Sequence, residues 1–176
     1  MTLDALFRRL SRGTRAIGAA CLALCLILFV GALGILAAEI VMRYVFDHPL
    51  QNIGEAVTIA FIYVYMVGGA ALYARNEDIA LDYFFLKAGV KPQAIWLLVI
   101  YLAIALTMAV VLVETVKLIL VQRGVLTPAL RLPLGIEHAA LAVAAAVILY
   151  ASLVEALGCW IWFRRGRRPT LEEEMP

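Results

Sequence analysis

Apolar positions run unbroken by charge over four long stretches. They are Ala16–Ala38 (23 residues), Ala56–Ala74 (19), Pro92–Val113 (22) and Ala139–Val154 (16), the last extended to Phe163 with only Glu155 interrupting. About 20 mainly apolar residues cross a hydrocarbon core of about 30 Å. The runs are continuous, not alternating, so they read as helices, in which each segment satisfies its own backbone, and not as barrel strands. The pattern predicts an all-α integral membrane protein with four transmembrane helices over about 16–43, 53–74, 92–121 and 134–162. The 176 residues then form a single four-helix membrane domain, with 163–176 as a charged tail.

Before the first run, Leu3, Leu6, Phe7 and Leu10 recur at i, i+3, i+4 and i+7, with arginines between. This spacing predicts a short amphipathic helix lying on the membrane interface ahead of span one. The apolar run behind it exceeds the 7–15 residues of a signal-peptide core, so span one is read as uncleaved.

Composition agrees, at 65% hydrophobic and 16% charged, against roughly half and a quarter in soluble domains. The net charge of +2 matters less than its placement. Eleven of the 15 basic residues lie at the termini and in the middle connector, including Arg8, Arg9, Arg12, Arg15 and Arg75; the other connectors hold Arg43, Lys117, Arg123 and Arg131. By the positive-inside rule both termini are cytoplasmic. The basic clusters are candidates for phospholipid or partner contact, as are Glu114, Lys117 and Glu137, and no nucleic-acid partner is expected. The three cysteines have no metal-site spacing, and no cofactor is expected.

The polar stretch between spans one and two, "RYVFDHPLQNIGEAV", carries the candidate chemistry. Glu39 and Arg43 stand at i, i+4 and can pair. Pro49 disfavours helix at His48. Asn52 and Glu55 have capping-box spacing, and Asp47 belongs to the same elbow. A rise of 1.5 Å per residue puts Glu39, Glu55, Glu114 and Glu137 near one membrane face and leaves the midplane at Ile27, Tyr65, Ala103 and Val147. An intramembrane charge would argue for transport chemistry; none stands at that depth, and no catalytic motif is present. Small residues on span one (Gly31, Gly34, Ala38), span two (Gly68 to Ala71) and span four (Ala140/Ala144, Ala142/Ala146) suit close helix packing.

"RYVFDHP" with Glu55, "GGAALYARNEDIALD" and "LTPALRLPLGIEHAAL" resemble the DctQ family, the small membrane subunit of TRAP (tripartite ATP-independent periplasmic) transporters. Arg43, Tyr44, Phe46, Pro49, Glu55, Gly69, Ala70, Ala71, Arg75, Ile79 and Asp82 match the family pattern. Asp47, Asn52, Gly54 and Asp78 depart from it, Asn52 standing where tryptophan is usual. The resemblance implies a non-catalytic scaffold in the bacterial inner membrane. Its partners would be a large membrane subunit and a periplasmic solute-binding protein, in sodium-coupled uptake of an organic acid. Two rivals remain: a self-sufficient small transporter or channel using the outer-face carboxylates, and a haem carrier using His48 and His138.

Overall fold

The computed structural model describes residues 3–48, 53–75 and 90–165. Four helices account for nearly all of them: α1 Leu3–Val45, α2 Ile53–Ala74, α3 Val90–Val121 and α4 Gly135–Arg165. All four are long and apolar enough to cross a membrane. At 1.5 Å per residue, the 22 residues of α2 reach about 33 Å and the 43 residues of α1 about 64 Å. α2 therefore fits the hydrocarbon core, and α1 overshoots it.

α4 is the hub. It packs against α1, α2 and α3, whereas α3 touches α4 alone among the described helices. Small residues make this position available. Ala140, Ala144, Ala145, Ala151, Ser152, Ala156 and Gly158 are all buried and let neighbours approach on more than one side. Of the two small pairs expected on this helix, Ala140/Ala144 is packed, while Ala142 is half-buried and Ala146 exposed.

α1 runs antiparallel to both of its neighbours. Gly18 lies against Ala71 and Ala74 of α2, Cys25 faces Gly68, and Phe29 meets Phe61 edge-on at 6.1 Å. Further toward its start, Phe7 fills the space over Gly158 of α4, and Gly13 lies against the Tyr150 hydroxyl. The buried positions Phe7, Ser11, Thr14, Gly18, Cys25 and Ala32 follow a heptad stripe, as in a left-handed helix pair. Gly31, Gly34 and Ala38, the small face expected to pack span one, are exposed, and a Cβ on either glycine would meet nothing within 4 Å. They point away because the stripe through Ser11, Gly18, Cys25 and Ala32 already fixes which side of α1 faces inward.

The separate interfacial helix expected ahead of span one is not found. The helix continues without a break from Leu3 through Gly13 into the apolar run. The reason is a protein partner: Phe7, Val154 and Ile161 form a buried cluster, with Leu10, Tyr150 and Leu157 packed on it. Phe7 and Leu10 of the stripe are covered by α4, while Leu3 stays exposed.

We call the end where α1 begins and α4 finishes the basic end, and the opposite end the elbow end. At the basic end Arg8, Arg9, Arg12 and Arg15 are all exposed. Polar groups inside the bundle are satisfied locally. Tyr63 donates to the Ile136 carbonyl at 2.8 Å, and Tyr73 and Ser152 share a hydrogen bond of 2.9 Å, tying α2 to α4 at two depths. Among the described residues, no buried side-chain nitrogen or oxygen lacks a partner.

Candidate functional site at the elbow end

Glu55 is the organising residue at the elbow end. It sits in the first turn of α2, where a carboxylate also complements the helix dipole. Its Oε2 accepts the backbone N–H of Ala129 at 2.9 Å and of Leu130 at 2.6 Å, with the Thr127 side chain nearby. Both partners lie in the connector between α3 and α4, more than seventy residues along the chain. Hydrogen bonds to an ionised acceptor are roughly twice as strong as neutral ones.

The connector is shaped to present those amides. Leu126 and Pro133 form an antiparallel bridge, Thr127 N–H donates to the Leu132 carbonyl at 2.8 Å, and Leu132 N–H returns to Thr127 Oγ1 at 3.0 Å. Thr127 is 2% exposed, so its hydroxyl works inside the loop. Arg131 closes the turn with φ of 52°, a left-handed conformation that costs a non-glycine residue about 1–2 kcal/mol. Thr127 and Glu55 thus join three segments: the start of α2 and both arms of the α3–α4 connector.

The other candidates fall differently. The capping-box partner Asn52 and the helix-stopping Pro49 lie outside the described residues. Asp47 takes φ of 49° after the end of α1, and the chain folds back so that His48 N–H reaches the Met42 carbonyl at 3.1 Å. Aspartate is among the few side chains that visit this conformation routinely. The ion pair expected between Glu39 and Arg43 is not made. Arg43 is exposed and its guanidinium sits 5.9 Å above the Tyr44 ring, while Glu39 is half-buried. An exposed i, i+4 pair is worth only about 0.3–0.5 kcal/mol, so the ring contact competes readily.

Glu114 and Lys117 do pair, at 2.8 Å, with both side chains more than 60% exposed. Glu137 lies in the first turn of α4. His138, the haem-ligand candidate, shares a 2.8 Å hydrogen bond with Gln122 Oε1. Arg75 is half-buried and packs its Cγ over Gly18. Among the described residues, no group of three or more His, Cys, Asp or Glu is arranged to hold a metal.

Sequence reasoning found Glu55 but assigned it a local partner. It missed Thr127 and the connector amides. The available signal was the connector itself: "LTPALRLP" must turn tightly between two prolines, which leaves amides requiring an acceptor from elsewhere.

Such a unit is a multi-pass membrane component whose polar chemistry is spent on joining its own segments. Residues 32–161 match the family "Tripartite ATP-independent periplasmic transporters, DctQ component". That is most of the 176-residue chain, and the protein belongs to this family. It is therefore the small permease subunit of a TRAP transporter, in the bacterial inner membrane, and the family implies a large membrane subunit and a periplasmic binding protein as its partners. Comparison with curated proteins and with solved structures yields no significant match.

Proposed function

We propose that this subunit is a non-catalytic scaffold for the large membrane subunit, in sodium-coupled uptake of an organic acid handed over by the binding protein. The observation that carries this reading is the position of its charges. Most charged side chains in the described helices stand toward a helix end, Arg15 of α1 and Glu155 of α4 reaching furthest in, and Ile27, Tyr65, Ala103 and Val147 occupy the predicted middle without a charge. Moving an ion or a carboxylate substrate calls for polar groups near the midplane. A fixed support calls instead for rigid helices and broad apolar faces.

Such faces are present. α3 is apolar through its middle yet packs on a single neighbour among the described helices, leaving Trp96, Val99, Leu106 and Val110 exposed. In this reading the basic end is cytoplasmic, and the elbow end, with the Glu55-bound connector, faces the periplasm. Phospholipid covers what the large subunit leaves open. No nucleic-acid contact belongs to this role.

The test is affinity purification of the tagged chain from membranes that also produce the large subunit. The reading expects the two to elute together at a fixed ratio, and Glu55→Ala to lower that yield without altering which substrates are taken up. A shifted substrate profile in Glu55→Ala would contradict it.

A further inference from the structure

We infer that the outward face of α2 receives a membrane-spanning helix of the large subunit, and that this helix supplies a hydrogen-bonding group to the Tyr65 hydroxyl. The occupant rests on the scaffold reading; what is added is the face where the two subunits meet. α2 packs against α1 and α4, and Val67, Ala70, Ala71 and Ala74 are buried there. Thr58, Tyr65 and Gly69 each stand about 160–180° around the helix from Val67, and all three are exposed. Tyr65 is 73% exposed. A row of ring contacts holds it outward: Phe29 meets Phe61 edge-on at 6.1 Å, and Phe61 stacks on Tyr65 at 6.2 Å.

Depth sets this hydroxyl apart. Tyr65 is 12 residues from the start of α2 and 9 from its end, about 18 and 14 Å along the axis. Both distances exceed the reach of a tyrosine side chain, so neither water nor a lipid headgroup meets the hydroxyl. Among the described residues it makes no hydrogen bond, whereas the hydroxyls of Tyr63, Tyr73 and Tyr150 each reach another helix. Thr58 bonds back to the Gly54 carbonyl of its own helix, and Thr107 of α3 to that of Ala103, both at 2.9 Å. A tyrosine hydroxyl stands too far from its own helix to do the same. An unmatched hydroxyl in hydrocarbon is costly, and lipid tails offer it nothing. A neighbouring protein helix does, through a polar side chain. Gly69, one turn on, leaves room for such a helix: a Cβ there would meet nothing within 4 Å, so a partner backbone can come close. The outward faces of α1 and α3 make no such demand at mid-depth. Leu24 and Val30 flank Ile27, and Leu102 and Leu106 flank Ala103; all are exposed and apolar, and lipid tails cover them.

The two full-length subunits, labelled with a donor and an acceptor dye, are titrated in mixed micelles and their affinity is read by energy transfer. Tyr65→Phe keeps the ring and its stacking on Phe61 but removes the hydroxyl. It should weaken the association about threefold, the effect of one hydrogen bond between membrane helices, and leave the thermal midpoint of the isolated chain unchanged. Gly69→Leu should weaken it further, by closing the approach. Gly31→Leu/Gly34→Leu, on an outward face of α1, should leave it as it was. A photo-crosslinking residue in place of Tyr65 should give an adduct with the large subunit. Unchanged affinity in Tyr65→Phe would overturn the inference while the subunits still associate. So would equal loss in the Gly31→Leu/Gly34→Leu variant, or an adduct formed only with lipid or with a second copy of this chain. Failure of the unaltered subunits to associate would overturn the scaffold reading, and the inference with it. Should Gly69→Leu not fold, Tyr65→Phe and the crosslink decide the matter.

Discussion

At the residue scale the account rests on Glu55. One carboxylate oxygen accepts two connector amides, from Ala129 and Leu130. Removing this acceptor leaves two connector amides without their protein partner. Glu55→Ala should therefore lower stability, and Glu55→Gln, which keeps one accepting oxygen, should lower it less. Hydrogen exchange should show faster protection loss at Ala129 and Leu130 than at amides in the middle of α4. Unchanged exchange at those two amides in Glu55→Ala would mean that the connector holds its own shape. Arg131→Gly tests the other side of the same turn. With φ of 52°, glycine relieves a left-handed strain of about 1–2 kcal/mol at some cost in unfolded-chain entropy. A modest rise in the thermal midpoint is expected, and a fall would show that the Arg131 side chain contributes more than its backbone costs.

Elements explain which parts of this arrangement could be read along the chain. Four long apolar helices followed directly from uncharged runs such as Ala16–Ala38, because a bilayer constrains length and charge so strongly. The packing faces did not. Gly31 and Gly34 look like a helix-contact motif, yet the buried stripe passes through Ser11, Gly18, Cys25 and Ala32. In a helix that is apolar all round, periodicity no longer marks the inside, and only the neighbours decide. The leading segment of α1 shows the same limit: its amphipathic spacing fits a membrane surface or a protein surface equally, and Phe7 chose α4. Glu55 was legible as a polar residue in an elbow, but its partners are distant in sequence and no local rule pairs them.

The two glycine faces of α1 make opposite predictions. A Cβ on Gly18 would lie 3.0 Å from the Ala71 carbonyl oxygen and 3.3 Å from the Ala74 Cβ. Gly18→Leu should force α1 and α2 apart and cost about 1–3 kcal/mol. Gly31→Leu with Gly34→Leu meets nothing within 4 Å and should leave the unfolding midpoint of the isolated chain within about 0.5 kcal/mol of the original. Gly158→Ala is the corresponding test at the basic end. Its Cβ would fall 2.7 Å from Phe7 Cε2, and a buried ring cannot move aside as a flexible chain can. Detergent-resistant unfolding followed by circular dichroism ranks all three. Equal effects at Gly18 and at Gly31/Gly34 would refute the assignment of the inward face.

At the scale of the whole molecule, the arrangement is a hub helix with an α1–α2 pair on it and α3 as a separate flange. The contacts between Tyr63 and Ile136 and between Glu55 and the connector hold α2 to the α3–α4 hairpin at the elbow end. The Phe7 cluster holds α1 to α4 at the other. Held at both ends, the bundle suits the proposed role of a fixed support. The most direct measurement is radiolabelled organic-acid uptake, with an inward sodium gradient and binding protein supplied, into vesicles holding this chain alone, the large subunit alone, or both. The account predicts uptake above background only where the large subunit is present, highest with both. Gradient-driven accumulation in vesicles that contain this chain alone would contradict it.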